Sequence, residues 1–203
     1  MPSWIKGVIL NITKLALAWA TALALTLTGC SPKESPDKAV AAANSSNPLE
    51  AVSTQAKGFA VGAMMSANTV YVLFDPQCPH CGHLWEASVP LQKKIKFVWV
   101  PVAFISPKSA PQGAALLSAA NPAQAMADHE TSLLAGTGGM AASASVPADL
   151  EQTIKKNTEL FNSLGVTSVP YIVAKNVRTG QVVTNNGAMA TPALASFLGI
   201  DLP

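Results

Sequence analysis

The residues in this chain best suited to chemistry are Cys78-Pro79-His80-Cys81. Two cysteines at this spacing can ligate a metal, anchor a haem, staple a turn, or exchange electrons with other thiols. Covalent haem attachment wants His directly after the second Cys, and residue 82 is Gly, so that reading fails. A closed zinc site wants four ligands. Cys78, Cys81 and one of His80 or His83 are local, but only His129 remains among the histidines and there is no second Cys pair. His83 and His129 read as surface polar residues. A disulfide across Cys78–Cys81 would close too short a loop to remove much chain entropy. Thiol exchange is therefore the leading reading, with a non-catalytic metal- or protein-binding module, using the pair as ligands or staple, as its alternative.

The flanking sequence favours exchange. "TVYVLF" (69–74) is β-branched and aromatic and predicts a buried strand, and a helix is expected from Cys78 to Lys94. Cys78 then sits at a helix N-terminus, where free N–H groups and the helix dipole favour an anion. Pro79 suits the first helical position. The thiolate is the attacking species, and this position lowers its pKa. His80 adds a donor and, when protonated, a positive charge. Cys81, one turn on, can attack the mixed disulfide formed at Cys78 and release it. Asp75 reads as a turn residue before the helix, and Trp85 as core.

The compartment narrows what the cysteines can do. Residues 1–29 carry Lys6 and Lys14, no acid, and the apolar run "LALAWATALALTLT" (15–28). That pattern reads as a secretory signal, since fourteen helical residues cannot cross about 30 Å of hydrocarbon. Leu27-Thr28-Gly29-Cys30 resembles a bacterial lipobox, which implies lipidation of Cys30, and Ser31 resembles the pattern sent to the outer rather than the inner membrane. Two cysteines then remain in an oxidising compartment. Without residues 1–29 the chain has 11 basic and 11 acidic residues, so charge gives no argument for a nucleic-acid partner. Neither a phosphate loop nor an aromatic-basic platform is present to suggest one.

The elements that must hold the pair can be laid out along the chain. Residues 30–48 form the lipidated N-terminus and a polar tether reaching on the order of 25 Å. A folded domain is expected over 49–203. "GFAVGA" (58–63) suggests a weak first strand, and Pro90 should kink the first long helix. "KFVWVPVAFI" (96–105) predicts a strand that Pro101 ends or bulges. Helices follow around 109–120 and, capped by Asn121, from Pro122. Residues 136–146 read as a mobile Gly/Ala/Ser loop without packing. The amphipathic helix 147–165, with Leu150, Ile154, Leu160, Phe161 and Leu164 at helical spacings, ends at Gly165. A hairpin about Arg178-Thr179-Gly180 and a last helix, with Thr191 as cap and Pro192 at its first position, complete the order.

"VLFDPQCPHCGHLWEASVP" (72–90) resembles the active-site region of periplasmic thiol:disulfide interchange proteins of the DsbG/DsbC type, in the thioredoxin superfamily. The shared features are Asp75-Pro76, Trp85 and Pro90. "LFNSLGVTSVPYIV" (160–173) resembles the superfamily's second signature. The likeness spans about residues 55–200. It implies an α/β thioredoxin fold, a central mixed sheet flanked by helices, with a helical insertion at about 108–164. It also implies a cis Pro170 facing the cysteines, with Thr167, Ser168, Val169 and Pro79 contacting the client chain. The client would be a cysteine-containing periplasmic protein, a membrane redox partner would recycle the pair, and no cofactor or metal would be needed beyond Cys78–Cys81 itself. Two departures stand out. Residues 31–54 leave no room for the N-terminal dimerisation domain of DsbG and DsbC, so a monomer is expected. Pro79-His80 and Val169 look like the oxidase DsbA, which favours an oxidase or general oxidoreductase over an isomerase.

Overall fold

The computed structural model describes residues 47–142 and 145–202. The expected lipidation site at Cys30 and the targeting segment lie outside them. Asn47 accepts from the backbone N–H groups of Leu49 and Glu50 and so caps α1 (Pro48–Gln55). Four elements then alternate: β1 (Phe59–Gly62), β2 (Thr69–Phe74), α2 (Pro79–Ser88) and β3 (Lys96–Pro101). Three helices follow, α3 (Ser109–Ser118), α4 (Pro122–Leu134) and α5 (Ala148–Ser163), and the chain closes with β4 (Tyr171–Lys175), β5 (Val182–Asn186) and α6 (Thr191–Leu198).

The strands form one mixed sheet in the order β1-β3-β2-β4-β5. β2 runs parallel to β3, with Val72 opposite Trp99, and antiparallel to β4, with Val72 opposite Ile172. A parallel pair needs a long crossover, and α2 supplies it. The central position of β2 explains its β-branched and aromatic composition: Val70, Val72, Leu73 and Phe74 are all fully buried. Aromatic side chains bind the sheet to α2. Trp99 meets Phe74 edge-on at 5.5 Å and Trp85 at 5.3 Å between ring centroids, arrangements that add about 0.5–1.5 kcal/mol each beyond area burial.

Four local expectations are corrected. α2 does not kink at Pro90; it ends at Ser88, and Val89–Leu91 form a single 3₁₀ turn. Proline has no N–H to return to the helix, and the Glu86 carbonyl is taken by the Val89 N–H instead. Thr191 is not a cap: its hydroxyl donates to the Ala87 carbonyl on α2 (2.9 Å), and Ala190 holds the cap position. His129 is fully buried rather than on the surface. The first part of the Gly-rich loop, Thr137–Met140, is tied down by side chains described below. His83, by contrast, is exposed as expected.

Asn157 shows why α5 sits where it does. Its amide donates to the carbonyls of Lys57 and Pro101 and accepts from the Lys57 N–H. One buried side chain thus joins the approach to β1, the end of β3 and α5. Leu160 and Phe161 on the same face complete the contact with the core.

Candidate functional site

The site is assembled at the C-terminal end of β2, where the chain leaves the sheet and turns into α2. Asp75 fixes that turn. Its carboxylate is fully buried and accepts four hydrogen bonds: from the Gln77 N–H (2.9 Å), the Ser109 hydroxyl (2.6 Å), and the N–H groups of Phe104 (2.9 Å) and Ile105 (3.0 Å). Its carbonyl takes the Cys78 N–H at 2.9 Å. Asp75 is thus the turn residue expected from the sequence, and it also ties the loop after β3 to the site.

Cys78 occupies the N-cap of α2 with extended backbone (φ −99°, ψ 110°), followed by Pro79. Both cysteines are free thiols and both are buried, Cys78 with 5% of its surface exposed. Their acidities diverge. Donation from the Cys81 thiol holds Cys78 down at about 6; the N–H groups of Cys81 and His80 and the charge of His80 add to this, while burial opposes it. Cys81 is pushed well above its ordinary value, first by burial, then by its place as donor to Cys78 and by the negative charge that Cys78 carries, with Glu130 contributing in the same direction. One sulfur is therefore a ready nucleophile and the other a retained thiol.

Opposite the pair stands the loop before β4. The Val169–Pro170 peptide is cis, and the Cys78 thiol lies 3.6 Å from the Val169 carbonyl oxygen, to which it donates. Of the residues singled out from the sequence, the structure brings Cys78, Cys81, Val169 and Pro170 together as a buried cluster. Pro79 and His80 lie exposed on its rim, and Thr167 and Ser168 are exposed on the approach to the cis peptide. Among the described residues no group of three or more His, Cys, Asp or Glu is arranged to hold a metal ion.

Glu130, Gln112 and Gln77 were not singled out from the sequence, and His129 was expected at the surface. Glu130, on α4, is 1% exposed, yet neither carboxylate oxygen has a hydrogen-bond partner. It packs against α2 so closely that a Cβ on Gly82 would lie 2.8 Å from its Oε2. Burial, together with the negative charges of Cys78 and Glu86, raises it to about 9, so it is neutral at neutral pH. His129 accepts the Met140 N–H at Nδ1 (3.0 Å), and its Nε2–H donates to the Pro76 carbonyl (2.7 Å). Helical spacing from Met126, fully buried on the same helix, was the available signal: positions 129 and 130 fall on its face.

The comparisons fit this geometry. No family model matches the sequence. A thiol:disulfide interchange protein, DsbG, of Pseudomonas aeruginosa is 31% identical over 147 residues, covering 71% of this chain and 56% of that protein. The catalytic domain of Proteus mirabilis ScsC superposes with a TM-score of 0.56 at 19% identity, over 73% of this chain and 95% of that one. The thiol-disulfide exchange protein α-DsbA2 of Wolbachia pipientis gives 0.56 at 16% identity, over 74% and 92%. The chain has a thioredoxin fold. Its sequence is similar to DsbG, and it spans only about half the length of the curated relatives it matches. The thioredoxin fold and its mixed central sheet were both expected from the resemblance, and both are present.

Proposed function

We propose that this protein of thioredoxin fold is a thioredoxin-superfamily member that exchanges disulfides with cysteine-containing proteins on the periplasmic side of a bacterial membrane. The observation that carries the reading is the opposite displacement of two thiols one helical turn apart, Cys78 down to about 6 and Cys81 upward. In the oxidised protein, a client thiolate attacks Cys78 Sγ. The Cys78–Cys81 bond breaks, Cys81 leaves with the electron pair and takes up a proton, and a client–Cys78 disulfide forms. A second client thiolate then attacks the client's own sulfur, the new client disulfide forms, and Cys78 departs as a thiolate. The client is oxidised by two electrons and the protein reduced by two. A thiolate that is stable at neutral pH favours this direction, so an oxidase or general oxidoreductase is preferred over an isomerase or reductase.

His80 supports the thiolate from the rim, and Pro79, Thr167, Ser168, Val169 and Pro170 form the surface against which the client chain lies. Lipidation of Cys30 after removal of residues 1–29 would hold the domain to a membrane, the outer one by the Ser31 pattern, as a monomer. A membrane protein that reoxidises the pair would complete the cycle.

The test is the reduction potential of Cys78–Cys81 in the purified protein, equilibrated against glutathione and read by mass spectrometry. A value around −120 mV marks a disulfide donor, while about −200 mV or lower marks an isomerase or reductase. Absence of any thiol–disulfide equilibrium would sink the reading altogether. Independently, Cys81→Ser should accumulate mixed disulfides at Cys78 that Cys78→Ser does not.

A further inference from the structure

The segment Thr137–Ala142 contains Gly138 and Gly139, both at positive φ (89° and 82°), and has little to bury. Ordering such residues is entropically unfavourable. Yet it is fastened from three elements. Gln112 on α3 donates to the carbonyls of Gly138 and Met140, both at 2.9 Å. Gln77, next to Cys78 in the chain, donates to Gly138 (3.0 Å) and to the Gln112 side-chain oxygen (2.6 Å). From α4, His129 holds the Met140 N–H and the Ser132 hydroxyl donates to the Gly139 carbonyl (3.1 Å). Gly139 lies so close to the His129 ring that a Cβ there would meet Cε1 at 2.5 Å. The fold thus spends four polar side chains on fixing a short surface strip beside the active-site turn.

That strip borders an open groove of about 490 Å³, with Pro107, Lys108, Pro111, Gln112, Met140 and Ala141 among the residues along it. Gln112 lines the groove and accepts from the Gln77 side chain, and Gln77 precedes Cys78, so two hydrogen-bonded side chains connect the groove to the nucleophile's turn. Its lining is mainly apolar, and its charged residue is exposed Lys108, whose ammonium lies 3.7 Å from where a side chain on Gly138 would begin. An extended chain advances about 3.3 Å per residue, so a client bonded to Cys78 would bring into the groove a residue some two to four positions from its own cysteine.

We infer that the groove between Lys108 and the Gln112–His129-clamped strip Thr137–Ala142 is a second client subsite, taking an extended client segment with an apolar side chain and a neighbouring carboxylate. It rests on the proposed exchange activity and adds selectivity among clients to it. Gln77, Gln112 and His129 are positioning residues, and Lys108 is the recognition group.

The experiment uses the purified, oxidised full-length protein and short peptides with one cysteine. Two to four residues from it, on either side, the peptides carry Leu-Glu, Leu-Lys or Gly-Gly. The readout is the rate at which each reduces Cys78–Cys81 at low salt. The Leu-Glu peptide should react about three- to tenfold faster than Leu-Lys, and Lys108→Glu should invert that order. Gln112→Leu, which frees the strip, should erase the advantage of Leu over Gly. The reduction potential, an equilibrium property of the two sulfurs, should stay put in both variants. Equal rates for all peptides, or a charge preference that survives Lys108→Glu, overturns the subsite and leaves the exchange chemistry standing. Should Gln112→Leu fail to fold, the exposed Lys108→Glu change still decides. Failure of the wild-type protein to react with any thiol, dithiothreitol included, would instead remove the proposed function itself.

Discussion

Two carboxylates are buried near the active-site cysteines, Asp75 in the turn before Cys78 and Glu130 on α4 against α2, and they are held in opposite ways. Asp75 is enclosed by four donors from three segments of chain. Glu130, as deeply buried, has none. A buried carboxylate whose oxygens all accept hydrogen bonds organises the groups that donate to it. One without partners keeps its proton instead, and Glu130 is raised to about 9. The difference separates what the site is built on from what it is tuned by: Asp75 sets the loop geometry around Cys78, whereas Glu130 adds a group beside α2 whose charge depends on pH.

The sharpest way to break the comparison is to remove the better-satisfied member. Asp75→Ala leaves three backbone N–H groups and the buried Ser109 hydroxyl without their acceptor, and about 2–4 kcal/mol of stability should be lost. The urea unfolding midpoint checks this. If Asp75 were as dispensable as its unpaired counterpart, the loss would stay under about 1 kcal/mol.

Removing Glu130 should have the reverse sign and depend on pH. Its pKa is raised on folding from 4.5 to about 9. The stability linked to it is therefore fully present below pH 4.5 and declines as pH rises towards about 9. Glu130→Gln abolishes that decline. Unfolding free energies of wild type and variant, measured from pH 5 to 9, should diverge with increasing pH, the variant gaining on the order of 4 kcal/mol between pH 5 and pH 8. Parallel curves would show that the carboxylate does not titrate as its burial requires.

Gly82 tests the contact itself. A Cβ there would lie 2.8 Å from Glu130 Oε2 and 3.0 Å from Leu134 Cγ. Gly82→Ala should therefore destabilise the protein by about 1–2 kcal/mol, despite alanine's better helix propensity. In a Glu130→Ala background the part of that cost due to the carboxyl should vanish while the Leu134 part stays, a coupling readable in a double-mutant cycle.

The smallest effect expected is on the nucleophile. The Cys78 thiolate raises Glu130, but Glu130 is uncharged where Cys78 titrates. Glu130→Gln should therefore leave the pH midpoint of Cys78 alkylation, about 6 in the wild type, unchanged. Cys81→Ala, which removes the donor, should move the same midpoint upward, because donation from Cys81 is the largest influence holding Cys78 down.

How much of this was legible in the sequence follows the range of the forces involved. β2 could be read to its last residue because a central strand buries both faces and must be apolar throughout. The N-terminal placement of Cys78 and the strand end at Pro101 followed from local rules. The cis Val169–Pro170 bond was implied by resemblance, since nothing in Thr167-Ser168-Val169-Pro170 itself distinguishes cis from trans. Glu130 and His129 were missed because a charged or polar residue beside an apolar stripe ordinarily faces water, and only the packing of α4 on α2 turns them inward. The strip at Gly138–Met140 read as mobile because its anchors, Gln77 and Gln112, are distant in sequence and belong to other elements.

The bareness of position 82 has a consequence for the history of this protein. A side chain after Cys81 would compete for the same space as the Glu130 carboxyl and Leu134. Among descendants and relatives of this chain, positions 82, 130 and 134 should therefore tend to change together.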